Sequence, residues 1–418
     1  MKMGFAQKNI TPDFPVPLAG FYQEIRISQG VHDKLYVRAL YFERSEKGPV
    51  VILQLDLLNL DRICLNRIYQ KTKIDKNRLL IFATHNHSGF GGIFDTEHGI
   101  NHDLIPFLGE KNPSLIDLVI AKSIEAIEEA SRNCVETTIR INRGNVKGLA
   151  NNRRKPSIPC DNSLFTIEFH RVDKKKILLY NLCCHPTVLN GENLLLSADF
   201  PGIVAEKLEG ISGGYDMVVF INGSAGDMST RYTRRENSFT ECERFAKIVI
   251  DALKGAGNGD LLPLEKIELR YHSFPLIMAK NPGAKEAREY LQKAIQNLTV
   301  LKNKNASSAD IRRAATLVEG AQISLLKSSS QTPDSKPVET GILHINNVVI
   351  VCSPFELFSS LALNLKKQKK IEWFCYANEM AGYLADCDSW DSLDYEALSG
   401  DFARGEGERY MELISGLI

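Results

Sequence analysis

Five short runs of aliphatic, largely β-branched residues punctuate this chain: Val50–Leu55, Leu79–Ala83, Ile177–Tyr180, Met217–Ile221 and Val348–Val351. Each is followed by polar or glycine-rich residues, and together they read as buried strands. Helical spacing lies between many of them, over Ser114–Arg132, Pro201–Leu208, Phe239–Leu253 and Phe355–Leu365. The last carries a basic tail suited to a helix C-terminus. Strands separated by helices predict an α/β architecture of mixed sheets flanked by helices.

One segment departs from this rhythm. Residues 282–327 are dense in Ala, Leu, Lys, Glu and Gln with periodic apolar positions, broken at Asn303–Ser308, and predict a helical hairpin inserted into the domain. Residues 328–338, rich in Ser and Pro, read as a flexible loop returning to the sheet. With 418 residues, 44% of them hydrophobic, the chain can bury a large core, and 1–418 reads as a single domain. No internal repeat and no heptad pattern is visible in it.

Lys plus Arg equals Asp plus Glu, 51 each, so no net field favours nucleic acid or an anionic membrane surface. The basic runs Lys174-Lys175-Lys176 and Lys366–Lys370 read as solvated turns and helix ends. Met1–Phe14 holds no apolar stretch of the kind a secretion signal needs, and no run of about 18 apolar residues exists. Nine cysteines without pairing or CxxC spacing fit reduced thiols. The expectation is a cytoplasmic protein with no stable membrane anchor and no nucleic-acid partner; nothing in the sequence specifies an oligomeric state.

Groups capable of chemistry collect just past the predicted strands, where open α/β sheets bind ligands. Leu79–Ala83 is followed by Thr84-His85-Asn86-His87-Ser88-Gly89, and a strand persisting through it places His85 and His87 on one face. Ile177–Tyr180 leads to Cys183-Cys184-His185-Pro186-Thr187, Met217–Ile221 to Gly226-Asp227-Met228-Ser229, and Val348–Val351 to Ser353-Pro354-Phe355-Glu356. Imidazole and carboxylate are the ligands of catalytic zinc. Each group also has a structural reading: a hydrogen-bonded core histidine, a first-turn helix carboxylate for Glu356, a turn or N-cap hydroxyl for Ser229. Spacing alone leaves both readings open.

The same segments, taken as motifs, resemble the neutral, non-lysosomal ceramidases. Ala83-Thr84-His85-Asn86-His87-Ser88-Gly89 is similar to that family's THxHSG signature. Further blocks agree in order: Gly4–Pro12, Leu18-Ala19-Gly20-Phe21, Val31–Ala39, Asn152-Arg153-Arg154 with Asp161 and Leu164, Cys184-His185-Pro186-Thr187, Ser197–Gly202, Gly226–Ser229, Ser353–Glu356 and Asn378–Tyr383. The resemblance implies a zinc ion held by His85, His185, Glu356 and Tyr383. It also implies that His87 and Arg153 face the substrate carbonyl, with Tyr395 beside the site and Ser229 as nucleophile or positioning group.

Those groups would hydrolyse an amide, or an ester, with a divalent ion polarising the carbonyl and acidifying water. Glu356 or His87 would carry the proton, and Arg153 and Tyr395 would face the oxyanion. Ser229 has no base at recognisable spacing, which ranks it second. The family's ceramidases proper are longer, with a secretory or anchoring start and a C-terminal β-sandwich, and two motifs change here, at Phe90 and at Thr230-Arg231. The expected substrate is therefore a small-molecule amide, lipid-like or more polar. Two alternatives stand beside this: a serine-dependent esterase or amidase using Ser229 with a structural metal, and a non-catalytic metal-containing binding protein.

Overall fold

The computed structural model describes residues 1–22, 25–43, 48–97 and 103–418. Among them a nine-stranded sheet forms the centre. Its strands β1 (Lys2–Asn9), β2 (Tyr36–Phe42), β3 (Val50–Leu55), β4 (Leu79–Ala83), β5 (Val135–Asn145), β6 (Ser163–Arg171), β7 (Lys176–Leu182) and β8 (Met217–Asn222) lie in the order β8-β7-β6-β5-β1-β2-β3-β4. Leu261–Pro263 adds beside β5. Neighbours run antiparallel except β3 with β4 and β7 with β8, the outermost pairs. Antiparallel, antiparallel, parallel thus occurs twice, in β1–β4 and in β5–β8. The halves meet where β1 pairs with β5 at Lys2↔Glu136 and Met3↔Val135. Strand order and direction repeat although no residue pattern does.

Helices α1 (Arg62–Thr72), α2 (Pro113–Arg132), α3 (Asp199–Glu209) and α4 (Phe239–Lys254) pack on one face of this sheet. Each parallel pair requires a crossover, which α1 supplies between β3 and β4 and α3 between β7 and β8. The other face is covered by a four-stranded sheet of β9 (Ile267–Ile277), β10 (Ser335–Ile345), β11 (Val348–Cys352) and β12 (Glu372–Phe374), the last two parallel. Alternation along β3 makes the layering explicit. Val51, Leu53 and Leu55 join the core with Leu115, Ile116 and Val119 of α2, whereas Val50 and Ile52 join Leu269, Leu343 and Ile350 of the second sheet. A side chain such as Ile52, 1% exposed, contributes about 2 kcal/mol by that burial.

Helices α5 (Ala284–Asn303) and α6 (Ser308–Lys327) lie between β9 and β10, and α7 (Ser359–Lys369) and α8 (Glu406–Ser415) complete the elements used below. Two boundaries differ from the sequence reading. β10 begins at Ser335, within the expected loop 328–338, because Ser335–Val338 pair with Ile277–Phe274 of β9, with Pro337 opposite Pro275. There β10 has no second neighbour among the described residues, the setting in which strand proline is tolerated. The helix expected from Phe355 begins only at Ser359, because Glu356 and Leu357 form a short parallel pair with Tyr383 and Leu384. No helix among the described residues is long and apolar enough to cross a membrane.

Candidate metal centre and active site

The ends of four strands are tied together by one fully buried residue, Asn222 at the end of β8. Its Nδ2 donates to the carbonyls of Cys184 (2.9 Å) and Thr84 (3.4 Å), its Oδ1 accepts the Cys184 amide, and its own carbonyl accepts the Cys375 amide beyond β12. This knot sets the segments carrying His85 and His185 side by side.

β4 does not persist through the histidine motif, so the condition under which a two-residue period would put His85 and His87 on one face is not met. The strand ends at Ala83, and His85 adopts φ +63, a left-handed conformation that costs roughly 1–2 kcal/mol in a non-glycine residue. The loop is held by Asn86, whose Nδ2 donates to the Ser197 carbonyl at 2.6 Å and whose Oδ1 accepts the Ser88 amide at 2.9 Å. His85 and His87 therefore meet through a turn rather than across a pleat, with ring centroids 5.0 Å apart.

His85 and His185 share one design. His85 Nδ1 donates to the Leu58 carbonyl at 3.1 Å and His185 Nδ1 to the Met228 carbonyl at 3.0 Å, which fixes each ring and leaves each Nε2 with its lone pair. Both Nε2 atoms face Glu356 Oε2, at 3.1 Å and 3.0 Å. Burial, then Arg153, pushes His185 down to about 4, so its ring is neutral at pH 7. Burial raises the Glu356 carboxyl, but His85 and His185 outweigh it and hold Glu356 well below the usual carboxylate range. Two imidazole nitrogens and a carboxylate oxygen thus converge, with His185 Nε2 within hydrogen-bond range of Glu356 Oε2 at 3.0 Å. Donor atoms around one tetrahedral ion with ligand bonds near 2.0–2.1 Å lie about 3.3 Å apart, so the set fits a divalent cation. His87 stands with them: ring nitrogens of His85, His87 and His185 lie within 4.8 Å of one another and could hold a metal ion.

His87 is 8% exposed and, among the described residues, neither ring nitrogen has a partner. Burial, then His85 and His185, pushes it well below the ordinary histidine value. Arg153 Nε donates to Glu396 at 2.6 Å, its Nη1 lies 3.3 Å from His185 Nε2, and its buried Nη2 has no partner among the described residues. Its guanidinium sits 5.2 Å from the Tyr383 ring centre and 5.7 Å from that of Tyr395. Tyr383 is the register partner of Glu356 in the short parallel pair, and its ring meets Tyr395 edge-on at 5.7 Å. Ser229, bridged through its backbone to His185, accepts the Arg231 amide at 3.3 Å. Among the described residues the Ser229 hydroxyl hydrogen-bonds no imidazole or carboxylate.

The fold brings all eight sequence-selected residues to one place. His87, Arg153, His185, Ser229, Tyr383 and Tyr395 line a cavity of about 280 Å³, with His85 and Glu356 behind the wall. Other contributors went unselected. Glu396 orients Arg153, Tyr376 stacks on His85 at 4.4 Å with an unpartnered hydroxyl, and α6 forms part of the wall through Ser308, Arg312, Thr316 and Glu319. Tyr376 follows β12, so the strand-end rule applied to that short strand would have found it; nothing in the hairpin's composition points to a cavity.

With that geometry in view, the comparisons with known proteins are informative. The family profile described as neutral/alkaline non-lysosomal ceramidase, N-terminal, matches residues 1–259, more than half of the chain. No curated protein sequence matches the chain. Several solved structures share its fold, and two of them are ceramidases. The neutral ceramidase from Pseudomonas aeruginosa superposes with a TM-score of 0.74 at 16% identity, covering 99% of this chain and 73% of that one. A structure described as ceramidase complexed with C2 superposes with a TM-score of 0.72 at 15% identity, covering 99% and 74%.

Proposed function

This chain belongs to the neutral/alkaline non-lysosomal ceramidase family, and from that premise we propose that it is a zinc-dependent amidohydrolase, with His85, His185, Glu356 and Tyr383 holding the ion. The observation that carries the reading is the convergence of His85 Nε2 and His185 Nε2 on Glu356 Oε2, at 3.1 Å and 3.0 Å, with each Nδ1 committed to a backbone carbonyl so that each Nε2 is the atom left to ligate. Two imidazole nitrogens and a carboxylate oxygen gathered at such spacing are the ligand types a catalytic zinc ion uses. Tyr383 joins the set as the register partner of Glu356. Zinc, when bound, supplies Lewis acidity and lowers the pKa of coordinated water.

The remaining roles belong to the chain. Arg153, braced by Glu396, turns its unpartnered Nη2 toward the carbonyl oxygen that becomes an oxyanion as water adds. The Tyr395 phenol lines the same wall. His87, neutral and facing the cavity, accepts the proton that water gives up and returns it to the amine nitrogen as the C–N bond breaks, yielding a carboxylic acid and an amine. Glu356 is engaged by both histidines, which leaves His87 better placed for that transfer. Ser229, without a base, is a positioning group. The substrate is a small amide, lipid-like molecules included because a structural relative is complexed with C2.

The test is hydrolysis of amides with graded acyl length by native, chelator-treated and zinc-restored enzyme. Loss on chelation and recovery with one equivalent of zinc are expected. Undiminished turnover after chelation, with inactivation by a serine-directed covalent inhibitor, would replace this reading with the serine mechanism.

A further inference from the structure

The cavity carries more positive charge than its neighbours neutralise. After Ser229 the chain makes a tight turn, with the Arg234 amide donating to the Thr230 carbonyl at 2.8 Å, and Arg231 and Arg234 both line the cavity from it. Arg231 Nη1 donates to the Arg153 carbonyl at 2.8 Å and Arg234 Nη1 to the Thr187 carbonyl at 2.6 Å. Among the described residues neither guanidinium has a carboxylate within ion-pair distance. Arg153 is matched by Glu396, and Arg312 by Glu319 at 2.8 Å. The rim acids Glu192 and Glu236 accept from Asn190 and Ser238 instead.

Burial, then Arg153 and Arg312, pushes Arg231 down to about 9, and burial, then Arg312, pushes Arg234 down as well. Partly buried cations that repel one another, with guanidinium donors to spare, are an unfavourable arrangement until an anion arrives. The first turn of α6 borders the same space with Ser308 and Ala309, adding the positive end of a helix. The walls around this space are mainly polar, which suits a polar group on the bound molecule.

We propose that the amide this site cleaves carries an anionic group, a carboxylate or a phosphate, seated on Arg231 and Arg234. The inference rests on the amidohydrolase reading for the bond broken, and on the arginines alone for the charge. It places the anion beside Arg153 and Ser229, within one small molecule's reach of the histidines.

The test titrates zinc-loaded enzyme with N-acetylglycine, with the phosphate ester of N-acetylethanolamine and with uncharged N-acetylethanolamine, following heat of binding and hydrolysis in the same samples. At least one of the anionic amides should bind about tenfold or more tightly than the neutral one, and whichever wins identifies carboxylate or phosphate. Arg234→Gln, and separately Arg231→Gln, should bring that affinity down to the neutral amide's, with circular dichroism and melting temperature reporting whether each variant folds. Equal affinity for all three, no binding of any, or a preference that survives in a folded Arg234→Gln variant overturns the proposal. Anion-selective binding without hydrolysis of any amide leaves the anion site standing and removes the amidohydrolase reading instead.

Discussion

Gly20 sets how closely the chain can approach His87. It holds φ +103, and a Cβ built there would lie 2.6 Å from the His87 ring. Gly20→Ala is expected to cost about 1–3 kcal/mol, through backbone strain and overlap, and to turn His87 out of the cavity. Thermal unfolding and kcat for an amide substrate check it together: a fall in kcat with KM held would identify His87 as the displaced group. At this scale the sequence was informative about identity and silent about aim. His85, His185 and Glu356 were readable as ligand types past strand ends. That Arg231 faces the cavity, or that Tyr376 lies on His85, depends on a turn and a three-residue strand that leave no periodic signature.

At the scale of elements, the site is assembled by pieces too short to be read as elements. Asp227, one of the buried acids, shows how they are joined. Its Oδ1 accepts the Ser359 amide that opens α7 at 2.7 Å, its Oδ2 accepts Asn152 Nδ2 at 2.8 Å, and its carbonyl accepts the Arg153 amide. Burial pushes this carboxyl up to about 6. A raised folded-state value means that the stabilisation it supplies is complete below its ordinary value of 3.8 and is lost as pH rises through about 6. Between pH 4 and pH 7 the cost is on the order of 3 kcal/mol. His185, held down at about 4, acts in the opposite sense over that window, so the test is a comparison: urea unfolding from pH 4 to pH 7 should show the stability of the native protein falling relative to that of Asp227→Asn, and a constant difference would remove Asp227 from the account. The apolar runs of β3, β4, β7, β8 and β11 were legible because both faces are buried. The amphipathic strands β1, β2, β5, β6, β9 and β10 were not singled out, because alternation diluted by charge, as in Lys2–Asn9, lacks that signal. The helical pattern from Phe355 misled in its first turn because pairing with Tyr383 overrides it.

Over the whole molecule, two halves of like strand order place their parallel pairs at opposite edges of one sheet, and the second sheet brings Glu356 to the histidines from above the shared core. The mixed α/β character followed from the strand and helix patterns, whereas the pairing of the halves could not, since it lies in direction and order. A centre built from three layers should link metal to folding. Removing the ion is expected to lower the melting temperature, and adding zinc to raise it in proportion to ln(1 + [Zn]/Kd). The most direct measurement is the zinc content per chain of the native protein beside His185→Ala and Glu356→Gln, after dialysis against a defined free zinc concentration. About one ion per native chain is expected, with affinity in each variant reduced beyond the roughly 10–100-fold typical of losing an outer-shell partner. Equal, stoichiometric zinc in all three would contradict the account.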